Sequence, residues 1–319
     1  MCRMGRASGL SRLFRCVPPT DKGARVSIFK SYDIRGKVGD TLTETIAAQI
    51  GQAFGTYLQR RGVREVVIGR DNRASSPALA EAAMDGLTRV GCNVTDIGMA
   101  ATPVVYWCAV EAGNVGGMMV TGSHLKPDMN GFKLSIGMRN LYGDQIQDLR
   151  IMIEAQDLTV GEGHVTTDEN ANARYLAMAQ SRLNHARHLK IVLDAGNGMG
   201  GMYAPRLLES LGHTVIRLYC EPDGTYPNHQ PDPQVESNLR DLIHRVREER
   251  ADLGLAFDGD ADRVGVVDDQ GHAISADRVL VLLARDILKR NPGAVVVADV
   301  LSTQVLFDEV QRAGGRPVI

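Results

Sequence analysis

KIVLDAG (190–196) is a short β-branched run closing on an aspartate, and the chain holds two counterparts, EVVIGRD (65–71) and AVVVADV (294–300). A helical pattern follows each run, over 77–90, 204–211 and 302–312. It is stopped by Gly91, by Gly212, or by the pair Gly314 and Gly315. A second β-branched run then returns: CNVTDIG, TVIRLY and RPVI. Short continuous apolar runs mark buried strands, the 3.6-residue period marks the helices, and glycine past a helix end marks its stop. The distance from strand-end aspartate to glycine stop varies only from 16 to 20 residues. The chain therefore reads as one α/β unit used three times.

Composition sets the seams. Residues 1–25 carry Arg3, Arg6, Arg12, Arg15, Lys22 and Arg25 against Asp21 alone, so they read as a disordered basic leader outside the fold. HVTTDENANARY (164–175) is polar and rich in turn formers, which reads as a linker. A second seam falls near 269–273, after RVGVVDD and HAIS. The expected domains are 26–167, 168–271 and a partial third over 272–319, since Ile319 lies on the third unit's return strand.

With 319 residues there is room for about two or three domains. A net charge of -2 and a pI near 6.5 give no electrostatic reason to expect nucleic acid or a membrane surface as partner. No apolar run approaches the ~20 residues of a membrane span. Cys2, Cys16, Cys92, Cys108 and Cys220 are scattered and odd in number, which favours reduced thiols and a cytoplasmic location.

FDGDADR (257–263) follows the apolar run LGLA and sets Asp258, Asp260 and Asp262 at alternate positions. Three acids this close repel one another unless a cation neutralises them, and an all-oxygen set suits magnesium better than zinc. On a straight strand alternate residues are ~7 Å apart, too far to share one ion. The segment must curl, which the small residues Gly259 and Ala261 permit. An EF-hand loop also opens D-x-D-x-D but needs glycine where Arg263 stands. An acidic turn facing solvent stays open as an alternative.

Upstream, TGSHLKPDMNGFK (121–133) follows the strand-like GGMMV. A serine at a strand end, between Gly122 and His124, reads as exposed, with backbone N–H groups nearby that could cradle a phosphate. Lys133 lies ten residues on. A lysine near a metal and an arginine holds its proton less tightly, which suits a proton shuttle. A turn serine and a solvated lysine are the plainer readings of the same residues.

Together these segments resemble the α-D-phosphohexomutase family, most closely its bacterial phosphomannomutase/phosphoglucomutase branch. The resemblance covers 29–319: FKSYDIRG (29–36), GRDNRASSP (69–77), the T-G-S-H loop with its tail, DAGNGMGG (194–201), CEPDGTYPNHQPDP (220–233), FDGDADRVGVV (257–267) and GGRPV (314–318) occur in the family's order. It implies tandem α/β domains with mixed sheets sandwiched by helices, four in a whole family member, with the third incomplete and the fourth absent here.

The implied activity interconverts hexose 1-phosphate and hexose 6-phosphate through a phosphoserine and a bisphosphorylated sugar. Ser123 matches the serine that carries the phosphoryl group. Asp258, Asp260 and Asp262, with Ser123, match the ligands of one magnesium ion. Arg263 is implied in phosphate or sugar contact, and Tyr32 and Arg35 in steadying the serine loop and substrate. Lys133 and His124 are the implied proton-transfer residues. The partner implied is a mannose or glucose phosphate. A catalytically weak or silent remnant that only binds a sugar phosphate or protein is the alternative. A haloacid-dehalogenase-type phosphatase built on Asp258 and Asp260 leaves Ser123 unexplained.

Four departures from the family pattern bear on chemistry. Leu125 and Lys126 replace Asn and Pro after His124, Ala261 replaces a usual glycine, and Leu301 stands where a lysine usually contacts substrate phosphate. Ala261 is expected to strain its loop if the backbone there needs a positive φ.

Overall fold

A computed structural model describes residues 27–183 and 187–319. The basic leader lies outside the described residues. The first unit holds β1 (Ile34–Lys37), α1 (Glu44–Gln59), β2 (Glu65–Arg70), α2 (Ser76–Arg89), β3 (Asn93–Met99), α3 (Thr102–Glu111), β4 (Gly116–Val120), β5 (Met129–Ile136), β6 (Arg139–Asn140), α4 (Asp144–Glu154) and β7 (Val165–Thr167). The second follows with α5 (Ala171–Arg182), β8 (Lys190–Asp194), α6 (Ala204–Ser210), β9 (Thr214–Leu218), α7 (Arg240–Glu249), β10 (Leu253–Phe257), β11 (Val264–Asp268) and β12 (Ala273–Ile274). Last come α8 (Ala276–Arg290), β13 (Val295–Val297), α9 (Gln304–Arg312) and β14 (Arg316–Val318).

In each unit the strand, helix and return strand of the repeat are present. The pairs β2/β3, β8/β9 and β13/β14 are all parallel. The first sheet runs β1-β5-β4-β2-β3-β7, with β6 beside β5, and its β1/β5 and β4/β5 pairs are antiparallel. The second runs β12-β11-β10-β8-β9, with β11 antiparallel to β10. Both sheets are mixed.

Helices cover the two faces of the first sheet, as alternation along β2 requires. Val66 and Ile68 join one core, with Phe54 of α1, Leu87 of α2 and Leu149 of α4. Val67 joins the other, with Val104 and Cys108 of α3. That second core runs on into Ala171, Met199 and Tyr203, so the first two units share buried apolar surface. Helices α1 and α2 cross at small residues: a Cβ on Gly86 would lie 2.0 Å from the Ala48 carbonyl oxygen, so only glycine allows this approach. Smaller cores lie under α7 in the second unit and between α8 and α9 in the third.

The structure adds short elements at both expected seams. Within 164–175, residues 165–167 add a parallel strand to the first sheet and α5 begins at Ala171. An exposed edge strand of three residues carries no apolar alternation by which to read it. Beyond the expected boundary at 271, the short β12 pairs with β11 and closes the second sheet at Ile274.

The topology places the functional loops. Strands β2, β3 and β4 are parallel neighbours inside the first sheet, so Asp71, Thr102 and Ser123 all follow their carboxyl ends on one side of it. In the second sheet β8 and β10 are parallel, and Asp194 and Asp258 lie at their carboxyl ends. Carboxyl ends of parallel strands are where open α/β sheets carry their sites.

Candidate active site

The serine loop is held from beneath by a buried arginine. Arg73 pairs with Asp71 at 3.1 Å, and both side chains are fully buried. Its guanidinium donates to the carbonyl oxygens of Ser123 (2.8 Å), Leu125 (2.7 Å), Lys126 (2.5 Å) and Met129 (3.1 Å). Asp71 also accepts from the Gly122 N–H at 3.1 Å. Arg35, steadied by Asp33, donates to the Gly122 carbonyl at 2.7 Å. Ser123 is thereby held at φ 50°, a left-handed conformation that costs a non-glycine residue about 1–2 kcal/mol.

These contacts bear on the Leu125 and Lys126 departures. The loop is gripped through main-chain carbonyls, which any side chain leaves in place. Lys126 is exposed, while Leu125 lines a cavity of about 440 Å³ with Arg35 and Met129.

From the second unit, the segment after β10 curls as the spacing of its acids demands. Carboxylate oxygens of Asp258, Asp260 and Asp262 lie within 4.8 Å of one another. The bend sits at Ala261, at φ 58°, so the strain expected there is present. Gly259 serves a different end. A Cβ on it would lie 2.3 Å from the Ser123 carbonyl oxygen, so its bareness lets the acidic loop touch the serine loop. Asp258 Oδ1 accepts from the Asp262 and Arg263 N–H groups (3.1 and 3.0 Å), and Asp260 Oδ2 accepts from Thr102 Oγ1 at 2.5 Å.

The two loops meet at one contact across 135 residues of sequence: Ser123 Oγ donates to Asp258 Oδ2 at 2.9 Å. His124 Nδ1 lies 3.2 Å from the same hydroxyl. Lys133 Nζ reaches Asp260 Oδ2 at 2.6 Å and Asp262 Oδ2 at 2.5 Å. Arg263 stands 3.8 Å from Asp258 Oδ2. Six of the sequence-predicted residues thus gather around the serine, and Arg35 braces its loop. Tyr32 does not: it is 77% exposed and makes no hydrogen bond to the serine loop among the described residues. Leu301 is 89% exposed.

One local expectation is reversed. Ser123 is fully buried rather than exposed, because the acidic loop packs directly over it. Lys133 holds its proton more tightly than a free lysine: burial acts to release it, but the Asp260 and Asp262 carboxylates outweigh burial. Burial pushes Asp258 up, reinforced by its two acidic neighbours. Burial acts to raise Asp260 too, yet the Lys133 ammonium holds it low. Burial and Arg263 lower His124, favouring the neutral ring at neutral pH.

The acidic set fits a hard cation. Its donors are all oxygen, and a lysine ammonium already sits among the carboxylates as a counter-charge. Asp260 Oδ1 is buried with no hydrogen-bond partner among the described residues, as an unused ligand atom is.

A third loop, 220–233, ties the assembly together. Gln230 Nε2 donates to the His124 carbonyl at 2.6 Å, and the Tyr226 ring lies 5.0 Å from the Arg73 guanidinium carbon. Its anchor is His229 Nε2, 2.9 Å from the buried Asp194 carboxylate. Sequence reasoning missed Arg73, Thr102, Tyr226 and Gln230 as site residues. The motif GRDNRASSP contains Arg73, but nothing in a linear sequence marks an arginine as fully buried. Asp71 and Asp194 were legible as strand-end aspartates, though not as anchors.

Comparison with known proteins agrees with this architecture. Residues 26–155 match the family description "Phosphoglucomutase/phosphomannomutase, alpha/beta/alpha domain I", and residues 173–271 match domain II of the same family. A Pseudomonas aeruginosa protein named phosphomannomutase/phosphoglucomutase is 48% identical over 293 residues, covering 92% of this chain and 63% of that protein. A Neisseria meningitidis phosphoglucomutase is 44% identical, with 92% of this chain and 64% of the relative covered. A crystal structure of a Burkholderia thailandensis phosphoglucomutase/phosphomannomutase family protein superposes with TM-score 0.87 at 42% identity, over 91% of this chain and 65% of that one. The chain spans about 63% of the length of the Pseudomonas relative. With both family domains in order, and with the serine and acidic loops joined as described, the chain belongs to the phosphoglucomutase/phosphomannomutase family.

Proposed function

We propose that this chain carries the phosphoryl-transfer site of a phosphomannomutase/phosphoglucomutase, moving phosphate between carbon 1 and carbon 6 of mannose or glucose phosphates. The observation that carries the reading is the 2.9 Å bond from Ser123 Oγ to Asp258 Oδ2, which joins a hydroxyl nucleophile to an acidic ion site across two domains. The homologues' names support the same activity.

In this reading Ser123 carries the phosphoryl group. It gives the group to the sugar's free hydroxyl, forming a bisphosphorylated sugar, and recovers the other phosphate after the sugar turns over in the cleft. Asp258, Asp260 and Asp262, with an oxygen on Ser123, hold magnesium. That ion, when bound, neutralises charge on the transferred group. His124, with Nδ1 3.2 Å from Ser123 Oγ, takes the proton that the sugar hydroxyl loses and gives one to Ser123 Oγ as the phosphoryl group leaves; both transfers reverse when the other phosphate is recovered, with Asp258 Oδ2 holding the serine hydroxyl at 2.9 Å. Lys133, 2.6 Å from Asp260 Oδ2 and 2.5 Å from Asp262 Oδ2, stands beside the transferred group as a positive charge and proton donor. Arg35 keeps the serine backbone in place, and Arg263, partly exposed beside the acids, is placed to meet phosphate. Tyr32 is exposed and free to contact the sugar.

Intact-mass spectrometry tests the nucleophile: one added phosphate is expected, and it disappears in Ser123→Ala. A coupled assay from mannose 1-phosphate to mannose 6-phosphate, run with magnesium and a sugar bisphosphate primer, tests turnover. A chain with neither phosphoserine nor magnesium-dependent turnover would be a silent remnant, and the proposal would fail.

A further inference from the structure

We propose that Thr102, at the start of α3 in the first domain, is a positioning residue for the cation site carried by the second. This inference rests on reading the three carboxylates as that site. Thr102 is fully buried, yet it has no part in the serine loop. Its N–H donates to the Asp260 carbonyl at 3.0 Å and its Oγ1 to Asp260 Oδ2 at 2.5 Å. One residue therefore fixes both the main chain and the carboxylate of Asp260.

The hydrogen bonds are distributed unequally over that carboxylate. Oδ2 accepts from both Thr102 Oγ1 and Lys133 Nζ, whereas Oδ1 is buried with no hydrogen-bond donor among the described residues. Leaving a buried carboxylate oxygen unpartnered is costly, because it has given up water for nothing. The arrangement persists because both donors hold the other oxygen, which orients Oδ1 as the atom offered to an ion. Partners that orient a ligand in this way typically change metal affinity 10–100-fold when removed.

Thr102 is itself positioned from across the domain boundary. Helix α3 has no side-chain cap. The Ala101 N–H instead donates to Tyr203 Oη at 3.2 Å, and Tyr203 donates to Asn172 at 2.6 Å. The second domain thus supplies the acceptors for the start of α3, and α3 returns the donors that aim Asp260. Ion affinity then depends on how the two domains dock, beyond the three acids themselves.

The test is titration of the full chain with Mn2+ alone, followed by electron paramagnetic resonance, for wild type, Thr102→Val, Thr102→Ser and Asp260→Asn. Thr102→Val is expected to weaken Mn2+ binding roughly 10–100-fold, Thr102→Ser to keep wild-type affinity, and Asp260→Asn to lose binding. Unchanged affinity in Thr102→Val, even with a lower metal-free melting point, would reduce Thr102 to a packing residue and overturn the inference. So would equal losses in the Ser and Val variants. If Thr102→Val does not fold, Thr102→Ala, which adds no bulk, takes its place with the same expected loss. Absent binding by wild type, or full binding by Asp260→Asn, would overturn the cation reading itself.

Discussion

Replacing Arg73 with methionine is the most direct test of how the serine loop is held. The substitution keeps a long unbranched stem and removes a guanidinium that pairs with Asp71 and donates to four loop carbonyls. Breaking a fully buried ion pair typically costs about 3–5 kcal/mol, because the partner charge is left behind without compensation. Asp71 retains bonds from Gly122 N–H and Ser76, which offset part of that loss. At roughly 2–4 °C per kcal/mol for a domain of 150–250 residues, the first domain should melt about 10 °C lower. The single tryptophan, Trp107, lies in α3 of that domain and packs edge-on to Tyr175 of α5 at 5.8 Å, so its fluorescence reports the first domain and its docking to the second. Thermal unfolding read by Trp107 fluorescence is the assay. Combining Arg73→Met with Asp71→Asn should cost ~1–3 kcal/mol less than the sum of the single changes, since both remove one interaction. A loss below about 1 kcal/mol in Arg73→Met, the range of an exposed pair, or simple additivity, would refute the clamp.

Two further outcomes follow from the geometry. Gly259→Ala places a methyl 2.3 Å from the Ser123 carbonyl oxygen, backbone that cannot step aside; the serine and acidic loops should separate. Hydrogen exchange at the 121–128 loop should then rise, and wild-type protection there would contradict the contact. The second concerns His229, raised above the usual histidine range because the hydrogen bond and charge of Asp194 outweigh burial. A raised folded-state value stabilises fully below about pH 6.5, the ordinary value, and the gain is lost as pH rises through the higher folded one. The stability gap between wild type and His229→Gln should therefore be widest in mild acid and close above neutrality, as measured by urea midpoints. A gap that is flat or grows with pH would be inconsistent with a charged His229–Asp194 pair.

The repeated strand, helix and return strand were legible because each rests on local signals: a β-branched run, a helical period, a glycine stop. The helices span Ser76–Arg89, Ala204–Ser210 and Gln304–Arg312, within two residues of the predicted bounds. Strand β7 was not legible, since its pairing with β3 is a long-range contact with no pattern in VTT itself. The acidic triad and the serine loop could be found as motifs, and the curl at 258–262 could be derived from the spacing of like charges. The direction of Lys133's shift could not, because it depends on two carboxylates that lie more than a hundred residues away.

Chemistry confined to a few neighbouring residues was settled by the sequence alone: which segments form the repeated strands and helices, where acids crowd, which loop holds a serine beside a histidine. Tertiary structure alone decided which of those groups meet. It buried Ser123 beneath the acidic loop, put Arg73 under four carbonyls and aimed Thr102 at Asp260. Such contacts join residues 50 to 158 positions apart. They are products of sheet order and domain docking, which propensity and motif do not encode locally.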